Sequence, residues 1–442
     1  MAEQVIPTNG MVLTEDTQFA AGVYHLPDGI RIGDDGITVS GDNTTLISDK
    51  QEKVGIQANG HQNVSIRDIS IQGYYHGIRI EHAQGITLEN ITVRGTHEIE
   101  GVETFLHLWL PLPDSYGGAI LCHDVRESQI VNCDLQHQMH GILLYDCTEM
   151  TISKNNASFN SGWGIYLSNT SDSLVDDNRF DFCNRVFRRE SGITRAEADA
   201  AGIVMVKGSS RNRILRNSCL CSGDGIFLCG YEHPGVITPC NDNLFEDNDC
   251  RLSPNNAIES TFSAGNIFRR NDCSQSNYAF WMGYSSHNTL EENIVTANRM
   301  VGIAIEHGFG FTIRNNKIQN NSEGIRLFTR GGGVLPYFPD HTVCHDMTVV
   351  GNELSGNKVG VRVYTGSEIQ DAQCHDMQIE SNTFADNRVG AQFNRASAVS
   401  VMGNTFSSNL ITAIEHANQD EIAISNNRYD NNGIDHHVLT DG

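Results

Sequence analysis

The residues of this 442-residue chain best suited to chemistry are acids set beside aromatic rings. Glu259 and Glu306 lie on either side of Trp281, and Asp224 and Glu232 come shortly before them. Two carboxyl groups can break a glycosidic bond. One donates a proton and the other, ionised, acts as nucleophile or base, at about 5–5.5 Å for retention and about 6.5–9.5 Å for inversion. Trp281 and Tyr284 offer flat apolar surfaces that suit the face of a sugar ring. Lys207, His307, Arg326 and Tyr166 add polar groups for hydroxyls or an acidic substituent. Glu259, Glu306 and Asp224 are therefore the candidate catalytic residues. Trp281, Tyr284, His307, Lys207, Glu232, Arg326 and Tyr166 are the candidate substrate-binding residues. A single outward Glu is ordinarily a solvated charge; it is the grouping round one indole that favours chemistry. Arg326 and Arg362 carry the same ambiguity, between an acidic sugar and a neighbouring surface acid.

The elements that must position these residues are repeats. A small residue followed by an apolar one recurs at 55, 77, 119, 141, 164, 202, 225, 257, 279, 302, 324, 360, 390 and 413. Eight of the thirteen intervals are 22 or 23 residues, so the other five read as a coil plus an insertion. A second clock runs through Asn248, Asn271, Asn293 and Asn316, and extends from Asn90 to Asn427. Asn tolerates left-handed backbone and bonds its own main chain, so it fits a sharp corner, and stacked corners can bond side chain to side chain. Within each repeat, short alternating runs such as Ala279-Phe280-Trp281-Met282 are separated by Asn, Ser or Gly, with no 3.6-residue beat. Three short strands and three corners fit a coil of this length. The pattern resembles the right-handed parallel β-helix family, whose members include pectate lyases and other sugar-processing enzymes. The expected fold is an all-β solenoid of about 14–16 coils. Residues 1–54 would form a cap and the first coils, 55–430 the parallel β-helix, and 431–442 a C-terminal tail.

The insertions at 96–116, 184–200, 230–241, 330–344 and 366–374 all border the strand that begins at the anchor. They are expected to wall a groove whose floor is that strand, with the second and fourth residues after each anchor pointing outward. Glu259 and Glu306 would then share the floor two coils apart, with backbones separated by about 12 Å.

A formal charge of −24 makes nucleic acid a poor partner. No run is long and apolar enough for a membrane span. The opening Met1-Ala2-Glu3-Gln4-Val5 reads as a cytoplasmic start, or as a secreted chain's if a leader has been removed. The twelve cysteines lack paired spacing and read as reduced thiols, with Cys219, Cys250 and Cys273 as inward fillers. No cluster has zinc-site spacing, and neither metal nor cofactor is expected; His137 and His140 are the nearest approach to a ligand pair. The leading reading is a carbohydrate-active enzyme that cleaves or transfers glycosidic bonds of an oligo- or polysaccharide. Asp224 to Glu232 is loosely similar to the Asp-Gly-apolar strand and loop Glu of β-helical inulin fructotransferases. The runner-up is a polysaccharide lyase using Lys207, His307 or an Arg against a uronic acid. The third is a non-catalytic sugar-binding solenoid of the kind labelled periplasmic copper-binding, although the ten Met are scattered and form no cluster with His. The family resemblance also implies homo-oligomers, trimers among them.

Overall fold

A computed structural model describes residues 4–331, 334–370, 372–418 and 420–439. Outside them lie residues 332 and 333 of the loop at 330–344, residue 371 of the loop at 366–374, and residues 440–442 of the expected tail. The described regular structure consists of short β-strands and two 3-10 turns, Leu112–Asp114 and Leu335–Tyr337. The coils are all-β and stack in parallel, as the repeat predicts. They divide into two compact units, Met1–Phe227 and Leu228–Gly442.

In the first unit the anchor strands His76–Gln84, Gly118–Arg126, Ile142–Tyr145, Ile165–Ser168 and Ala201–Val206 stand side by side. Ile80, Cys122, Leu144, Leu167 and Met205 fall in one register column and are almost wholly buried. The second unit repeats this from Asn256–Thr261 through Tyr278–Gly283, Val301–Glu306, Glu323–Thr329 and onward, with Ile258, Phe280, Ile303, Ile325 and Val361 in column. His436–Leu439 pairs with Thr412–Ala417, so the coils run past the boundary expected at 430.

Asparagines lock each coil to the next. In the second unit the side-chain oxygen of Asn293 accepts both the backbone and the side-chain N–H of Asn271, at 2.9 and 3.1 Å. Asn293 in turn donates to Phe268 O and to Asn316 Oδ1, each at 2.9 Å. These side chains point inward. At Asn90 and Asn132 the left-handed backbone falls on the asparagine itself, as expected; from Asn155 on it belongs to the preceding residue, as at Arg270, Glu292 and Asn315, so there the corner is displaced by one position. A second column, Asn298, Asn321, Asn357, Asn387, Asn409 and Asn432, lies five residues further on and is bonded the same way.

The long loops of the first unit do not stand as walls. Leu106 and Leu108 are buried, and so are the outward-facing Leu121, Leu143, Tyr166 and Val204, because the segment 96–116 lies across the strands and roofs them. The second segment forms an antiparallel hairpin, Val186–Arg188 with Thr194–Ala196, and Arg188 N–H donates to Val102 O at 2.6 Å. At its base Glu197 is fully buried; it accepts from Leu106 N–H at 2.5 Å and faces Arg185 Nε at 3.4 Å. Burial, and then the neighbouring Glu197, push the Asp199 carboxyl up to about 7.

Two outcomes follow. Asn293→Ala leaves the Asn271 amide and Phe268 O short of partners inside the core, and should cost about 3 kcal/mol in urea unfolding. Asp199 releases its proton near pH 4 in the unfolded chain and about 7 in the folded one, so its contribution is full below pH 4 and lost as pH rises to 7. Asp199→Asn should therefore be more stable than the parent at pH 8, by about 2 kcal/mol, and level with it at pH 4 in the same measurement.

Candidate functional site

In the second unit Glu259 stands in register with Trp281 and Ala304, and Gly283 with Glu306. Both acids therefore project from the same outward face, two strands apart and two residues offset. Trp281 lies between them, half-buried, packed edge-on against Tyr278 with ring centres 5.1 Å apart. Its indole covers Val301, Ala304 and Phe328. Gly283 leaves a recess beside it: a side chain there would begin 3.6 Å from Trp281 Nε1 and 3.5 Å from Thr261 Cγ2, in ordinary contact.

The surroundings of the two acids differ. Glu306 is buried and held by the forked guanidinium of Arg330, with Nε 2.6 Å from Oε1 and Nη2 3.2 Å from Oε2. That bond holds the Arg330 pKa above its ordinary value. Glu259 is half-buried and accepts from the side-chain amide of Asn256 at 2.5 Å. Further along the face, Glu323 accepts from Arg326 at 2.6 Å and from Arg362 at 3.0 Å. Burial would lift Glu323, but Arg326 and then Arg362 outweigh it and its pKa falls. Arg362 also lies 4.8 Å over the Tyr364 ring. Arg326 is thus engaged by a neighbouring acid, the buried Glu323.

Tyr284 and His307 do not reach the open floor. Phe262, Tyr284 and His307 stack in sequence with centres 5.3 and 4.8 Å apart, and Phe338 of the following loop packs on Phe262 and Tyr284. The His307 ring nitrogens face His341 O at 2.9 Å and Arg330 O at 2.6 Å. Burial pushes the Tyr284 hydroxyl up to about 12. Both residues therefore hold a loop in place. Glu232 sits half-buried in a small hairpin of Tyr231–Glu232 with Val236–Ile237.

The other three expected residues belong to the first unit. Tyr166 is covered by the roof, its hydroxyl donating to Leu108 O at 2.7 Å, so its expected exposure to a ligand is not met. Lys207 donates to Trp109 O at 3.3 Å. Asp224 opens its strand, is buried, and donates its backbone N–H to Ala200 O.

Arg330, Asn256 and Glu323 escape the sequence reading. The last two occupy the position just before the anchor. That row also faces outward, as the Asn256–Glu259 and Glu323–Arg326 bonds require. The repeat itself carries the signal, because Asn256, Tyr278, Val301 and Glu323 recur with the anchors.

Comparison with known proteins bears on this geometry. Residues 30–233 and 341–442 match the family described as periplasmic copper-binding protein (NosD), and residues 232–337 match the right handed beta helix region. The fold is accordingly the right-handed parallel β-helix. Among solved structures, the periplasmic alginate epimerase AlgG is 13% identical with a TM-score of 0.50, covering 82% of this chain and 78% of its own. The A-module of Azotobacter vinelandii mannuronan C-5 epimerase AlgE4 is 13% identical with a TM-score of 0.39, over 97% of this chain and 91% of its own. Tailspike protein 3 of bacteriophage CBA120 is 11% identical with a TM-score of 0.43, over 95% and 56%. No curated protein matches the sequence.

The described residues do not fit copper. Among the described residues no three His, Cys, Asp or Glu side chains converge on a metal. Buried thiols donate to backbone carbonyls, as Cys147 does to Tyr145 O at 3.2 Å, and burial pushes Cys133, Cys147 and Cys183 up to about 12. The stacked His345 and His375 are each engaged by the next aspartate, at 2.8 and 2.7 Å. With most of its length matched, the chain belongs to the periplasmic copper-binding protein (NosD) family, and that membership overturns the expectation of a cytoplasmic protein.

Proposed function

We propose that the anchor-strand face of the second unit binds an oligo- or polysaccharide and cleaves or transfers its glycosidic bond, with Glu259 and Glu306 as the carboxylate pair. The observation that carries this reading is the pair itself: two acids on one face, on either side of a half-buried indole, in unlike surroundings. Glu306, held by the forked Arg330 guanidinium, is cast as the base or nucleophile. Glu259, beside the indole and accepting from the Asn256 amide, is cast as the proton donor. A sugar ring laid on Trp281 would place a hydroxyl or the linking oxygen over the recess at Gly283. The alginate epimerase of this fold acts on a polysaccharide, which supports the same class of ligand here.

A lyase acting on a uronic acid is the weaker reading. Its substrate needs cations, and Arg326, Arg362 and Arg330 are engaged by Glu323 and Glu306. Polysaccharide turnover should be followed by the release of reducing ends. Glu259→Gln and Glu306→Gln should each lower it about 1,000-fold while leaving binding intact. Parent rates in both variants would remove the assignment, and an unsaturated product absorbing in the ultraviolet would favour elimination instead. Trp281→Ala should weaken binding about tenfold, read by calorimetry.

A further inference from the structure

The outward row of the anchor strands changes character along the first unit. Leu121 and Leu143 lie under the roof, but the coils before them carry Arg31, Gln57 and Arg79, which stand in register with one another and with Leu121. Coils stack about 4.8 Å apart, so the two arginines spring from strands about 9.6 Å apart with one amide between them. Their side chains are long enough to converge over Gln57. Together with Asp28 and Lys53 these residues line a cleft of about 530 Å³. In a chain of formal charge −24, three cations around one cleft are a local exception.

The donors are only partly used. Arg79 Nη2 donates to Glu81 Oε1 at 2.9 Å, but its buried Nε has no partner. Native proteins leave few such atoms, so an orphaned N–H lining a cleft points to something it receives. Lys53 is paired with Asp28, which also accepts from the Asn9 amide at 2.6 Å. Arg31 is exposed, and among the described residues nothing engages its guanidinium. The open fork of Arg31 matches an oxyanion, and Arg79 Nε adds a further donor. Charge selects among oxyanions. Glu81 offsets Arg79 and Asp28 offsets Lys53, which leaves the single charge of Arg31; Lys50, outside the lining, is felt by Asp28 more weakly than Lys53 is. One charge matches a carboxylate, whereas a phosphate monoester brings about −1.5 to −2. Gln57 both donates and accepts and Asp28 accepts, which suits hydroxyls on the same ligand, and the half-buried Val54 gives it an apolar edge.

We propose that this cleft on the first coils is a binding site for a sugar acid, whose one carboxylate is taken by Arg31 and Arg79 and whose hydroxyls are taken by Gln57 and Asp28. It lies wholly within the first unit and does not depend on the carboxylate pair of the second. The full chain is titrated by calorimetry with glucuronate, methyl β-glucoside, glucose 6-phosphate and acetate. Glucuronate should bind about tenfold more tightly than each of the other three, and more weakly as salt is raised. Arg31→Gln removes the open guanidinium; Arg79→Lys keeps the charge and removes Nε. Each should weaken glucuronate binding about tenfold with an unchanged thermal midpoint. Arg362→Gln, an arginine of the second unit, should bind it like the parent. If Arg79→Lys does not fold, Arg31→Gln decides. The proposal is overturned if glucuronate does not bind, if the glucoside, the phosphate or acetate binds as tightly, if Arg362→Gln weakens binding as much as Arg31→Gln, or if the folded variants of Arg31 and Arg79 bind like the parent.

Discussion

Coil-to-coil register is the constraint on which everything else in each unit depends, and amide side chains inside the coil enforce it. A parallel strand can slip, and a slip of one residue would turn every outward side chain inward. The columns through Asn293 and Asn298 oppose that: the Asn293 amide oxygen accepts two N–H groups of the coil before, and both amide nitrogens donate to the coil after. Buried amides of this kind are costly when unmatched and stabilising when every member is matched. The rows on the outer face inherit that order. Glu259, Trp281 and Ala304 stand abreast because Ile258, Phe280 and Ile303 do.

Each unit uses its own anchor-strand face in its own way. In the first, apolar outward residues such as Leu143 and Val204 invite a cover, and the long segments supply one through Leu106 and Leu108. In the second, the face carries charged and aromatic residues that satisfy one another in the plane of the sheet: Glu323 with Arg326 and Arg362, Glu306 with Arg330, Trp281 with Tyr278. Such a surface can stay open to water. Its neighbouring loop instead packs on the stack at its edge, where Phe338 meets Tyr284.

Much of this was legible in the residues. Spacing alone predicts the solenoid, the inward cysteines and the common face of Glu259 and Glu306, because a period of 22 or 23 survives any local ambiguity. The direction taken by a loop was not legible. Whether 96–116 stands up or lies down depends on where Leu106 finds an apolar partner, which is a tertiary fact. The left-handed corner falls on the asparagine at Asn90 and Asn132 and one residue earlier from Asn155 on, because Asn suits either role and only packing shows which it takes. The Asn-x4-Asn spacing of 293/298, 316/321 and 352/357 was available to the eye and marks the third strand of each coil. Arg330 was hidden because it lies past the strand, outside the register that identified its partner. Location left no trace in composition, and family membership corrects it.

The amide link from Asn293 to Asn316 spans 23 residues and that from Asn316 to Asn352 spans 36, yet both measure 2.9 Å. Thirteen added residues leave the joint between rungs unaltered. Such a scaffold decouples its interior from its decoration, so insertions can be gained, lost or exchanged at the perimeter as cassettes while the central stack keeps its spacing. Diversification of what the molecule recognises then needs no renegotiation of how it folds.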